Sequence, residues 1–257
     1  MTIELISFRY NMREQKRLNL MLELINISRS DLIVFCGHSL YYQESLKVLQ
    51  RKIENKTATV LFEVRNIKEN NNKFINLKNC LYLIKEGTIQ NLFTSQLFSE
   101  SAHINNNEAL GERYINELET RRCFQVGDKI CLVIQCGENN IIRNIQKEGN
   151  RPVFRLQERS DLEERFKNLL QHTDIILNPI HQPMGNSDKI GKRREYLSTD
   201  GRYYFSVSQN GQRKRNQDYY DISIESNCLQ YGYHDGKPIN EINRDVSEDY
   251  QRRIYII

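Results

Sequence analysis

A thiol, a run of amides and acids, and a few isolated imidazoles are the groups in this 257-residue chain that could do chemistry. The thiol is Cys136. It closes the stretch Asp128-Lys-Ile-Cys-Leu-Val-Ile-Gln-Cys136, and Gly137, Glu138, Asn139 and Asn140 follow. Residues 130–134 form an apolar run too short for a helix and bounded by polar residues, which predicts a strand buried on both faces. A thiol at the carboxyl end of such a strand, followed by glycine, stands where a nucleophile is presented above a sheet at a sharp turn. The same place also suits a cysteine that serves only as a small buried hydrophobe.

Hydrophobic period gives the elements that must position it. Residues 2–8 predict a first strand, and 11–27 a helix with Leu18, Leu20, Met21, Leu24 and Ile25 on its apolar face. Asp31-Leu-Ile-Val-Phe35 is a second buried strand, ending in Cys36-Gly37-His38. Residues 45–55 predict a helix and 57–64 a third strand. A polar turn at 66–72 precedes two runs expected to pair, 73–77 with 80–85, and Gly87 turns the chain into 88–92. Residues 99–120, polar and irregular around Leu110-Gly111, read as a long loop with a helical turn, bordering a site. Beyond the central strand, Ser160 is an expected N-cap with Glu163 completing a capping box. The helix spans 160–171, with Leu162, Phe166, Leu169 and Leu170 on one face. Residues 174–177 predict a buried strand, 188–198 a helix, 203–207 a strand, 222–232 with Gly236 a late hairpin, and 253–257 an edge strand. Strand and helix alternate, give way to hairpins, and alternate again. That is one α/β layered domain over residues 1–257.

Composition narrows the class. At this length a 39% hydrophobic content supports a substantial core. A net charge of +4 neither requires nor excludes a polyanionic partner. The cysteines are scattered with no Cys-x-x-Cys, and the histidines form no His-x-x-x-His, so neither a metal nor a cofactor is expected. Reduced thiols, an N-terminus without an apolar core segment, and no apolar run near roughly 20 residues together predict a soluble cytoplasmic protein. Lys189, Lys192, Arg193 and Arg194, with Arg213, Lys214 and Arg215, could form a basic patch for nucleic acid, but solvated charge is the default for such runs. Tyr203, Tyr204, Tyr219 and Tyr220 suit sheet packing better than a stacking platform.

Several landmarks line up in order. Asp31-Leu-Ile-Val-Phe35 follows a first helix, and Ile84-Lys-Glu-Gly87-Thr-Ile sits in a hairpin. Then come the Cys136 strand, Asp174-Ile-Ile-Leu-Asn-Pro179, Arg193-Arg194 in a helix before Tyr203-Tyr-Phe-Ser-Val, and Tyr233-His-Asp-Gly236-Lys-Pro. Together these resemble the carbon–nitrogen hydrolase (nitrilase) superfamily over essentially the whole chain. The resemblance implies a four-layer α-β-β-α sandwich, usually dimerised, that cleaves or condenses non-peptide carbon–nitrogen bonds with a Glu–Lys–Cys triad. It places the nucleophile at Cys136 and its acidic neighbour at Glu138.

The other two triad positions depart from the pattern. Gly37 stands where the family has its glutamate, and Thr94, three residues before Leu97, where it has its lysine. No lysine lies between Lys85 and Lys129. A thiol without a base is only a few per cent thiolate at neutral pH. Losing one oxyanion donor costs roughly 100- to 1000-fold. The resulting expectation is a non-standard member or pseudoenzyme that binds a small amide- or nitrile-like molecule or a protein partner, as a homodimer. The rival is a thiol-dependent amidohydrolase with a rearranged base, using His38 or a carboxylate from Glu44, Glu63, Glu100 or Glu108. A nucleic-acid-associated accessory protein is the third reading.

Overall fold

Apolar runs with no polar face to turn to water must be covered on both sides, and this requirement dictates the architecture. The computed structural model describes residues 1–65, 67–70, 73–76, 80–183, 187–211 and 229–257. In the first half, β1 (Thr2–Phe8), α1 (Glu14–Ile27), β2 (Leu32–Phe35), α2 (Ser45–Lys52) and β3 (Thr59–Val64) alternate. The hairpin of β4 (Ile67–Asn70) and β5 (Lys73–Asn76) follows, then β6 (Cys80–Lys85) and β7 (Thr88–Ser95). Short α3 (Ser101–Ile104) and longer α4 (Glu108–Arg121) lead to β8 (Cys123–Val126), β9 (Lys129–Val133), and the hairpin β10 (Ile142–Ile145) with β11 (Arg151–Phe154). Alternation then resumes through α5 (Ser160–Gln171), β12 (Ile175–Ile180), α6 (Ser187–Leu197) and β13 (Tyr203–Ser208). The chain closes with β14 (Gln230–His234), β15 (Lys237–Pro238), β16 (Asn243–Val246) and β17 (Tyr250–Ile256).

Two sheets form. A seven-stranded sheet runs β16-β17-β1-β2-β3-β6-β7, and a six-stranded sheet runs β15-β14-β13-β12-β9-β8. At the heart of each, three strands are parallel: β1, β2 and β3 in one, β9, β12 and β13 in the other. Alternating residues of the second sheet divide between two cores. Cys131, Val133, Ile175, Leu177 and Phe205 join the core shared with the first sheet, α1 and α2. Leu132, Ile134, Ile176 and Tyr204 face the other way, against α4 and α5. The result is the expected α-β-β-α sandwich. Parallel strands in each half deliver their carboxyl ends to one edge, the place where open α/β sheets build sites. No described helix is long and apolar enough to cross a membrane.

Local expectations diverge at several points. Residues 108–121 are a helix, not loop: Gly111, Tyr114, Ile115 and Leu118 are buried at helical spacing, and the Asn107 side chain caps Leu110 N–H at 3.1 Å. The signal is muted because only three of those four positions carry apolar side chains among many charges. Ser160 is the first helical residue rather than a cap, and no side-chain cap bond is made there. Residues 73–76 pair with β4, while β6 lies between β3 and β7. The last strand is internal, flanked by β16 and β1, because β16 covers what would have been the edge. Of the late hairpin, residues 222–228 lie outside the described residues.

One buried cation ties the first sheet's loops together. Arg17 on α1 is fully buried, and its guanidinium donates to the carbonyls of Met12 (3.1 Å), His38 (3.1 Å), Arg9 (2.8 Å) and Tyr10 (2.6 Å) and to Gln209 Oε1 (2.9 Å). It also stacks over the Tyr41 ring, 4.6 Å from its centroid. Arg17→Met keeps the volume but strands those acceptors in a dry site. A loss of about 3 kcal/mol is expected, read as a lower urea midpoint at unchanged slope. An unchanged midpoint would show that the loops hold themselves.

Candidate active site

Four strand ends meet at the parallel edge. β2 runs into Cys36-Gly37-His38, β3 carries Glu63, β9 runs into Gln135-Cys136, and β12 runs into His181. Cys136 takes φ +39°, a left-handed backbone that a side-chain-bearing residue adopts only under constraint. It opens a tight helical turn over Cys136–Ile141. Gly137 permits that turn: a Cβ there would lie 2.0 Å from the Ser99 carbonyl oxygen.

The Glu63 carboxylate, fully buried, is the hub. Its Oε2 accepts from the His38 backbone N–H at 2.7 Å and pairs with His181 Nε2 at 2.6 Å. Its Oε1 accepts from Gln135 Nε2 at 2.6 Å. The His181 ring is also coupled electrostatically to the Cys136 side chain. With Nε2 held by Glu63, the nitrogen left to serve the thiol is Nδ1. Burial pushes the His181 imidazolium down, but the negative charge of Glu63 and of the Cys136 sulfur outweighs it and lifts the ring well above its ordinary range. Burial likewise works against the Glu63 charge, yet His181 holds that carboxyl down at about 2. A thiol, an imidazole and a carboxylate thus stand in series.

Gly37 explains how the ring fits. A Cβ at 37 would lie 2.4 Å from His181 Cδ2 and 2.9 Å from the Ile180 carbonyl carbon. At the position where the sequence resemblance leads one to expect a glutamate, an imidazole from the opposite sheet fills the space. His38, the expected substitute base, packs against His181. Its ring lies flat on His181, centroids 3.6 Å apart and planes 11° from parallel, with Nε2 buried and unpartnered. Burial, with the neighbouring His181 charge, pushes it down to about 3, so it is neutral at pH 7.

Thr94 and Glu138 belong to a second buried assembly on the other side of the turn. Arg122, fully buried, donates from Nε to Thr94 Oγ1 at 2.9 Å and from Nη2 to the Ser95 carbonyl at 2.9 Å. Its guanidinium forms a two-pronged ion pair with Glu138, which also accepts from the backbone N–H groups of Leu97 (2.7 Å) and Gln135 (2.9 Å). Glu138 therefore fixes the nucleophile turn. Glu44, Glu100 and Glu108 are solvent-exposed, and Glu108 reaches Arg159 at 3.5 Å.

The donors of His38, Glu63 and His181 lie within 4.8 Å of one another. A metal would have to lie in the plane of each ligating ring at about 2.1 Å from its nitrogen. Rings stacked face to face cannot both meet that demand, so this geometry serves a hydrogen-bond relay. On α6, Lys192 pairs with Glu195 at 2.7 Å, whereas Arg194 turns inward over the Tyr231 ring, 3.6 Å from its centroid. Tyr203 stacks on His234, and the Tyr204 hydroxyl donates to Asn178 Oδ1 at 2.8 Å. Residues 213–215, 219 and 220 lie outside the described residues.

Sequence reasoning passed over His181, which follows a buried parallel strand as Cys136 does. Inspecting the first residues beyond every such strand would have found it.

No family model and no curated protein matches the sequence. Solved structures match its fold. The NitN amidase from Nesterenkonia sp. AN1 superposes with a TM-score of 0.55 at 9% identity, covering 100% of this chain and 92% of its own. XC1258 from Xanthomonas campestris, a CN-hydrolase superfamily protein with an arsenic adduct in its active site, gives 0.50 at 11% identity, covering 99% and 90%. A glutamine-dependent NAD(+) synthetase from Cytophaga hutchinsonii gives 0.53 at 12% identity; this chain is covered over 99%, but spans only 42% of that protein. The chain has the carbon–nitrogen hydrolase (nitrilase) fold.

Two expectations follow. In Gly37→Ala the new methyl must displace the His181 ring, so alkylation of Cys136 by iodoacetamide at pH 7 should slow at least about tenfold. An unchanged rate in a folded variant would disconnect the ring from the thiol. The second concerns pH. Glu63 and His38 titrate lower in the fold than in the open chain, so their contribution is full above about pH 6.5 and lost as pH falls toward 3 and then 2. His181 titrates higher, so its contribution is full below about 6.5 and lost as pH rises through its folded value. Urea midpoints should therefore peak near pH 6.5, and His181→Asn should abolish the decline toward pH 9. A wild-type curve flat from 6.5 to 9 would contradict the raised imidazolium.

Proposed function

We propose that the protein is a thiol-dependent acyl hydrolase in which Cys136, His181 and Glu63 form a rearranged catalytic triad on the nitrilase fold. The observation that carries this reading is the 2.6 Å Glu63–His181 bond, on a ring electrostatically coupled to the Cys136 side chain at the end of the neighbouring strand. A pseudoenzyme reading required a sulfur with no base, and this arrangement supplies one.

The chemistry follows from the roles. The proton shared by Cys136 and His181 rests on the imidazole, and the sulfur attacks the carbonyl carbon of a small amide or ester, giving a tetrahedral oxyanion. The imidazolium returns that proton to the departing amine or alcohol as the carbon–nitrogen or carbon–oxygen bond breaks, leaving a thioester on Cys136. Water then attacks the thioester while His181 accepts its proton, and the proton passes to sulfur as the acid is released. Glu63 fixes the ring and stabilises its charged form throughout. Structural neighbours include two variants of the amidase from Nesterenkonia sp. AN1, each mutated at a glutamate, whose active-site cysteine carries a Michael adduct of acrylamide in one and the acetamide moiety of fluoroacetamide in the other.

Thr94 in place of the lysine removes a cation that would meet the oxyanion, which favours substrates with better leaving groups. Activated esters and amides should therefore turn over, and nitriles should not.

The test is hydrolysis of p-nitrophenyl acetate and a panel of primary amides and nitriles by four proteins. Against wild type, Cys136→Ala and His181→Ala should each lose at least about a thousandfold in kcat, and Glu63→Gln roughly a thousandfold or more. Turnover that survives His181→Ala would sink the triad.

A further inference from the structure

Just beyond the nucleophile turn, three arginines gather with no acid among them. Arg143 comes from β10, Arg155 follows β11, and Arg193 comes from α6. Arg193 donates from Nη1 to Asn140 Oδ1 at 2.9 Å and from Nε to Asn144 Oδ1 at 2.8 Å. Arg155 Nε grips the Asn140 carbonyl. Arg143 Nη2 donates to Gln157 Oε1 at 2.8 Å. Among the described residues no carboxylate pairs with any of the three, and the terminal nitrogens of Arg155 have no protein acceptor. Arg159, close by, shows the contrast: it is neutralised by Asp161 at 2.7 Å and approached by Glu108 and Glu112.

Like charges held together in half-buried positions repel one another and lose hydration. Burial and the neighbouring Arg155 bring Arg193 down to about 10, still a cation at neutral pH. Arg155 is lowered by burial and by Arg143. Such a cluster is stabilised by an anion from outside. Space for one exists in a cleft of about 290 Å³ lined by Arg143, Arg155, Asn105, Asn106 and Gln157, with the already paired Arg159 on its wall and Arg193 outside it. Glu108 and Glu158 stand on the same lining, the first drawn toward Arg159 and the second exposed.

The link to the thiol is short. Asn140, held by two of the arginines, donates from Nδ2 to the Gly137 carbonyl at 2.8 Å and to the Ser99 carbonyl at 3.1 Å. We infer that Arg143 and Arg155, with Arg193 behind them holding Asn140, form an oxyanion-recognition site beside the Cys136 turn, taking a carboxylate or phosphate group. Carried by the substrate, this group would make the protein an acyl hydrolase for anionic compounds, which rests on the function proposed above. Carried by a free anion, it would be an effector site.

The site is tested without turnover. Binding of inorganic phosphate and of glutarate is measured by calorimetry on Cys136→Ala, alone and combined with Arg155→Gln or Arg143→Gln. The second variant lies on a hairpin and guards against misfolding of the first. Each should weaken binding about tenfold, the loss of one charge-assisted contact. In parallel, alkylation of Cys136 by anionic iodoacetate is compared with that by neutral iodoacetamide, followed by peptide mass. If both anions bind and phosphate slows iodoacetate selectively, the site is supported as a substrate subsite. If they bind without affecting either reagent, the site is supported as an effector site. Phosphate and glutarate binding that is absent, or identical in all variants, overturns the inference. Loss of esterase activity alone would bear on the triad and not on this site.

Discussion

The site depends on an absence. With any side chain at position 37, the carboxyl end of β2 would occupy the volume in which the His181 ring lies, its Cδ2 only 2.4 Å from where a Cβ would be. The resemblance puts a glutamate there; glycine empties the space and lets an imidazole enter from β12 in the facing sheet. In the proposed triad the carboxylate comes from one strand over, Glu63 on β3. Such rewiring is available because both sheets point parallel strands toward one edge. Every strand end there is within reach of the others, so a proton relay can be carried by different strands while the thiol stays in place.

Two buried arginines hold the turns that make this edge. Arg17 gathers the carbonyls of His38, Arg9, Tyr10 and Met12 and orients Gln209, whose Nε2 donates to the Gly37 carbonyl at 2.7 Å. Arg122 gathers Thr94, Ser95 and Glu138. Each supports a residue in left-handed backbone, His38 at φ +55° and Cys136 at φ +39°. Such conformations cost on the order of 1–3 kcal/mol and persist only where surrounding bonds over-determine them. Multidonor guanidinium groups suit that task, because one planar side chain fixes several acceptors at once.

Much of the fold was legible because buried parallel strands declare themselves as unbroken apolar runs, as at 32–35, 130–134 and 175–177. Helix α4 was not, since its buried stripe of Gly111, Tyr114, Ile115 and Leu118 is thin among charges. The internal place of β17 depends on β16, whose sequence Asn-Arg-Asp-Val carries no strand signal. At the site, Cys136 was marked by its strand and glycine, and Glu63 stood among the candidate carboxylates. His181 was missed because nothing in its local sequence distinguishes it; only the sheet order brings it to β2. Linear spacing cannot express that proximity.

Two buried carboxylates flank the nucleophile, and their partners decide which can take part in proton transfer. Glu138 faces Arg122, a cation that does not release its proton, and two backbone N–H groups. Its surroundings stay fixed whatever the thiol does. Glu63 faces an imidazole, a backbone N–H and an amide. Only the imidazole among these exchanges a proton in the proposed reaction, and it is the one coupled to the sulfur. Positive charge on His181 is met by Glu63 without reorganisation. The acid nearest in sequence to Cys136 is thus a scaffold, and the acid a sheet away is the one coupled to its chemistry.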